Sequence, residues 1–185
     1  MRWLRLRPKG TSVKDTINSH QFDISCDDDA QLILSEKELQ LVGNTVLEEE
    51  GITRPCLVSI SFVSDEHMRQ LNRQFRDQDR PTDVLSVECE RPNDPDLFEG
   101  EPCELGDIVL ATAYITRQAQ SFGWTPQDEC RLLFVHGLLH LLGYDHLEDE
   151  EASRMEARED KLLELVSPHK GKGHVTLTRH RSELT

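Results

Sequence analysis

Two periods of apolar residues run along this chain. Gln21-Phe22-Asp23-Ile24-Ser25-Cys26 alternates apolar and polar side chains, the repeat of a strand with one buried face. Ser35, with Glu38 three residues on, is a capping box that opens a helix over about 36–50. Leu39, Val42, Val46 and Leu47 share its inner face, and Gly51 ends it. Cys56-Leu57-Val58-Ser59-Ile60-Ser61-Phe62-Val63 is dense enough in β-branched and aromatic residues for a strand buried on at least one face. Ser64 or Asp65 then caps a helix with Met68, Leu71 and Phe75 at helical spacing.

The second half repeats this alternation. A polar connection, Arg76 to Asp83, leads to a short strand Val84-Leu85-Ser86-Val87, and a long acidic, proline-bearing loop spans 89–104. Leu105 to Leu110 forms a further strand, and a helix over about 112–121 stops near Gly123. Thr125-Pro126 starts the next helix with proline at its first position, and Asp128 and Glu129 favour the positive end of its dipole. A last helix over about 148–165 carries Met155, Leu162, Leu163 and Val166. The order predicts an α+β domain over 20–166: a small mixed sheet of about four strands flanked by about five helices. Residues 1–19 read as a flexible basic extension and 167–185 as a disordered basic tail.

The fourth of these helices carries the candidate chemistry. His136 and His140 stand at i and i+4, so on a helix they lie about 40° apart around the axis and their rings reach one point in space. Gly143 is placed to end the helix in a left-handed cap, and Gly143-Tyr144-Asp145 can swing His146 back toward the other two. A histidine pair alone reads equally well as ordinary core or surface residues. The third histidine, in a run otherwise almost wholly apolar, favours a metal, because burying several unpartnered imidazoles is costly. Three neutral nitrogens leave a tetrahedral zinc with one open position, where a water can be acidified to about pKa 7. Imidazole serves nickel and cobalt as well, so the spacing implies one divalent ion rather than zinc alone.

Charge and cysteine usage narrow the setting. The net charge of −14 argues against a general nucleic-acid binder, but residues 1–20 carry five basic side chains against one acidic, and 167–185 four against one. Acid is concentrated in runs such as Asp27-Asp28-Asp29 and Glu48-Glu49-Glu50, which read as solvated faces. The 5 cysteines form no CxxC pair, so neither a disulfide framework nor a four-cysteine zinc site is suggested. With no apolar leader and no long apolar run, the expectation is a cytoplasmic protein with no membrane span; a transit peptide is disfavoured by the short, non-amphipathic N-terminus. Oligomeric state is not legible.

The run His136-Gly137-Leu138-Leu139-His140-Leu141-Leu142-Gly143-Tyr144-Asp145-His146 resembles the signature of the YbeY family, bacterial metal-dependent endoribonucleases of ribosomal RNA maturation. Leu71-Asn72-Arg73-Gln74-Phe75-Arg76 followed by Pro81-Thr82-Asp83-Val84-Leu85-Ser86 is similar to a second motif of that family, and Leu105-Gly106-Asp107-Ile108 to a third, in the same order. The resemblance implies that His136, His140 and His146 hold a Zn2+ ion and that Arg76 acts in catalysis. It further implies cleavage of single-stranded RNA, maturation of the 16S rRNA 3′ end, and the small ribosomal subunit with its proteins as partners. Arg76 suits a bidentate grip on phosphate; its alternative is pairing with Asp77, Asp79 or Asp83. Thr82 and Asp83 read as orienting the loop, and Asp107 and Asp145 as candidates for a bond to a ligand imidazole, with a local turn as the other reading.

Two other readings stay open at this level. A metallohydrolase of peptides or small molecules lacks the HExxH glutamate, whose place is taken by Gly137. That glycine costs about 1 kcal/mol in a helix interior relative to alanine, and close approach of backbone or substrate would account for it. A non-catalytic, zinc-stabilised ribosome-assembly factor would need a fourth ligand such as Cys130 or Asp145. Val87 stands where the family's strand often has an aromatic residue, a departure that touches packing. The acidic loop 89–104 would repel RNA if it covered the site, so it is expected to lie aside or to move.

Overall fold

The computed structural model describes residues 19–146 and 148–167, so the basic extension and tail lie almost wholly outside the described residues. Four strands, β1 (Gln21–Cys26), β2 (Cys56–Val63), β3 (Val84–Glu88) and β4 (Cys103–Ala111), form one sheet in the order β1-β2-β4-β3. β1 and β4 run parallel to β2, whereas β3 runs antiparallel to β4, so the sheet is mixed as expected. The helices are α1 (Glu36–Glu49), α2 (Asp65–Arg76), α3 (Thr112–Phe122), α4 (Pro126–Leu141) and α5 (Asp149–Val166).

Helix ends follow the local chemistry. Ser35, Ser64 and Thr125 each accept a hydrogen bond from a backbone N–H in the first turn of α1, α2 and α4, satisfying donors that have no partner inside the helix. α2 stops at Asp77, a non-glycine residue in the left-handed region with φ 56°. Phe75 matches the helical spacing of Met68, yet it is 51% exposed while Met68 is buried. The stripe on α2 is narrower than its periodicity suggested because only its first turns face the sheet.

β2 occupies the interior of the sheet and buries Cys56, Val58, Ile60, Phe62 and Val63. Each large apolar side chain so removed from water contributes about 1.5–3 kcal/mol before the entropy of ordering is charged against it. Gly106 is required where β4 passes β3: its φ is 143°, and a Cβ there would stand 2.2 Å from the carbonyl oxygen of Val87.

α4 sets the position of the site. It is buried on nearly every side, with Leu132, Leu133, Phe134, Val135, Leu138, Leu139 and Leu141 all in the core, and it contacts β3, β4, α1, α3 and α5. Gly137 is the point of closest approach to the sheet, for a Cβ there would lie 3.0 Å from Ser86 Oγ and 3.1 Å from Ile108 Cγ2. The glycine lets α4 lie this close to the sheet, and any side chain at 137 would press on Ser86 and Ile108. Among the described residues no helix is long and apolar enough to cross a membrane.

Candidate metal centre

The end of α4 forms a Schellman motif. The N–H of Gly143 donates to the His140 carbonyl at 2.9 Å and that of Tyr144 to the Leu139 carbonyl at 3.0 Å, with Gly143 at φ 92°. This left-handed turn reverses the chain and returns His146 to the helix. The ligand-capable nitrogens of His136, His140 and His146 lie within 4.8 Å of one another, and the ring centroids are 4.4, 4.9 and 5.6 Å apart. The three residues singled out by their spacing are thus brought together. Among the described residues no cysteine or carboxylate joins the group; Cys130 is wholly buried lower on α4, where burial pushes its thiol far up.

Two of the rings are fixed from behind. His136 Nδ1 lies 2.7 Å from Glu159 Oε1, a buried contact, and His140 Nδ1 donates to the Tyr144 carbonyl oxygen at 3.0 Å. Carbonyl and carboxylate oxygens only accept, so each Nδ1 carries the proton and each Nε2 presents a lone pair. Those two Nε2 atoms face each other at 2.9 Å. A single shared proton can bridge that gap as an N–H···N bond, and with the third ring the same nitrogens make the donor set that a divalent ion of the zinc type takes. Burial, with the neighbouring His136 and His146, lowers the His140 pKa to about 4, so this imidazole is neutral and able to ligate at neutral pH.

Glu159 was not identified by sequence reasoning. Its signal was a carboxylate inside the apolar stripe of α5, four residues after Met155 and three before Leu162, where a charge is costly unless paired. Neither of the two aspartates considered is the partner of His136. Asp145 Oδ1 accepts from the N–H of His146 at 2.7 Å, the local-turn alternative, and Asp107 is exposed on β4. The turn is also held by its side chain: Tyr144 donates its hydroxyl to Glu50 Oε2 at 2.8 Å, and Arg158 of α5 donates to the other oxygen of Glu50.

A cavity of about 260 Å³ opens beside the histidines and is lined by Arg76, Ser86, Glu88, Arg91, His140 and the 143–145 turn. Arg76 therefore reaches the site from the end of α2. Two of the three aspartates offered as its alternatives are engaged elsewhere: Asp79 is forked by Arg69 at 2.9 and 3.0 Å, and Asp83 accepts from Val84 N–H and Gln118. Gln118 also donates to buried Glu129, so Thr82 and Asp83 orient the strand entry as expected and tie it to α4. The acidic loop begins at this cavity through Arg91, which sequence reasoning passed over.

Fold and centre together define an α+β protein with a histidine cluster able to hold a metal ion, set on a buried helix and the turn after it. The profile of the family Endoribonuclease YbeY matches residues 21–167, and the chain belongs to that family. It is 39% identical over 151 residues to Endoribonuclease YbeY of Shouchella clausii, covering 77% of this chain and 94% of that protein. To the Heliobacterium modesticaldum protein of the same name it is 43% identical over 131 residues, covering 68% and 79%. The solution structure of TM1509 from Thermotoga maritima aligns with TM-score 0.53 and 28% identity over 78% of this chain and 88% of that one.

Proposed function

We propose that the chain is a metal-dependent endoribonuclease that cuts single-stranded RNA in ribosomal RNA processing, at the 3′ end of 16S rRNA. The observation that carries this reading is the convergence of three imidazoles, two oriented through Nδ1, beside a cavity that also holds Arg76. His136, His140 and His146 would hold one zinc ion or a related divalent metal. When bound, that ion supplies Lewis acidity and a water acidified toward neutrality.

The protein's own groups do the rest. Glu159 and the Tyr144 carbonyl keep the Nδ1 protons in place, so the Nε2 lone pairs stay aimed at a common point. Arg76 grips a non-bridging phosphate oxygen through its fork and steadies the charge that grows there as the phosphodiester is attacked. A cytoplasmic setting, with the small ribosomal subunit and its proteins as partners, completes the reading. The basic segments 1–19 and 167–185 offset the acidic domain when the chain meets RNA. A peptidase is disfavoured because Gly137 takes the place of the general-base glutamate, close against Ser86 and Ile108.

The test is cleavage of a ribosomal precursor fragment carrying a single-stranded 3′ extension, beside the same sequence as a full duplex. Cutting confined to the extension and stopped by a chelator is expected; equal cutting of both, or indifference to the chelator, would refute the reading. Glu159→Gln is expected to weaken metal affinity about 10- to 100-fold, since the imidazole loses its anionic acceptor. Competition against a chromophoric zinc chelator reads this directly, and unchanged affinity would count against the role given to Glu159.

A further inference from the structure

Arg91 opens the acidic loop between β3 and β4, and it is pinned on both sides. The N–H groups of Cys89 and Glu90 donate to the carbonyls of Leu105 and Glu104, carrying the β3–β4 ladder past Glu88. Further along, Arg54 donates to the carbonyl oxygens of Pro92, Phe98 and Glu101 at 3.0, 2.9 and 2.7 Å, which straps the loop to the segment before β2. The loop therefore holds Arg91 in a fixed place at the cavity that contains Arg76 and His140.

The guanidinium itself is poised. Nε and Nη2 donate to the two oxygens of Glu88, each at 2.9 Å, while Nη1 makes no hydrogen bond among the described residues. Nη1 lies over the end of α4, where a Cβ on residue 143 would come within 3.1 Å of it. Glycine at 143 thus serves two needs: the left-handed turn that returns His146, and the close approach of Arg91 to the site. The side chain is 58% exposed, so its pairing with Glu88 is screened and readily exchanged for a stronger anion. A phosphate offers the fork a doubly accepting partner, or accepts from Nη1 while the Glu88 pair stays closed.

We propose that Arg91 is a second phosphate-binding residue of the cleft, gripping a backbone phosphate of single-stranded RNA next to the one that Arg76 engages. The inference rests on the RNA reading of the site given above. It reverses the sense of the acidic loop, which places a cation in the cleft at its first turn. Because the grip is on a neighbouring phosphate, its loss weakens substrate binding rather than the chemical step.

The test uses the full chain, loaded with zinc, and a labelled single-stranded oligoribonucleotide, with steady-state cleavage and binding followed across a range of salt. Arg91→Gln is expected to raise KM about tenfold with kcat nearly unchanged, and to flatten the log–log salt dependence of binding by about 0.7, the share of one single-strand phosphate contact. Arg91→Lys keeps the charge and is expected to restore the salt dependence. Arg117→Gln, which removes a cation of α3 that pairs with Asp65 at the start of α2 and does not line the cavity, is the control for charge loss alone and is expected to match the parent. A parent that cuts RNA while Arg91→Gln keeps its KM and salt dependence overturns this inference alone. A parent that neither binds nor cuts RNA overturns the function and the inference together.

Discussion

His140→Ala is expected to release the metal and to lower RNA cleavage by at least about a thousandfold, the scale lost when a Lewis acid and its activated water leave a site. His140 is the centre of the group. Its Nε2 is 2.9 Å from that of His136, its ring is 4.9 Å from that of His146, and its Nδ1 ties the helix to the carbonyl of Tyr144. Two imidazoles alone do not make a lasting site for a zinc-type ion, so metal per chain after gel filtration should fall from about one to below about a tenth. The helix should survive, since alanine is the best helix former and the Schellman turn bonds through backbone groups. Far-ultraviolet circular dichroism matching the parent separates loss of metal from loss of fold.

Arg76→Ala is expected to leave metal content untouched and to lower kcat about 100- to 1000-fold, the cost of removing one donor aimed at a developing oxyanion. The side chain is exposed and has no carboxylate partner among the described residues, so little folding energy depends on it. That separates its loss from a stability defect. Lysine at this position keeps charge but not the planar fork, so Arg76→Lys should recover only part of the rate. A kcat equal to the parent's in Arg76→Ala would remove the arginine from the chemistry.

The elements were legible because capping and periodicity are local. Ser35, Ser64, Thr125, Gly51 and Gly123 mark helix ends with chemistry that acts within a few residues, and the structure places the ends there. The histidine cluster was legible for the same reason: an i,i+4 pair and a glycine turn bring the rings together without help from the rest of the fold. Glu159 and Arg91 were not, because each meets the site across distance in sequence. Glu159 lies 23 residues beyond His136 and meets it only through the packing of α5 on α4. Arg91 depends on the straps from Arg54 and on the missing side chain at Gly143. Gly137 shows the limit in reverse: its cost in a helix was visible, but the reason, the closeness of Ser86 and Ile108, needed the tertiary structure. Phe75 shows how a periodic stripe overstates burial when a helix runs past the edge of what it packs on.

The most direct measurement is the initial rate at which the zinc-loaded full chain cleaves a single-stranded ribosomal precursor RNA, taken side by side with His140→Ala and Arg76→Ala at equal protein concentration. The parent is expected to cut, His140→Ala to lose at least about a thousandfold, and Arg76→Ala about 100- to 1000-fold. Equal rates in all three proteins would contradict the assignment of the histidine cluster and Arg76 to RNA cleavage.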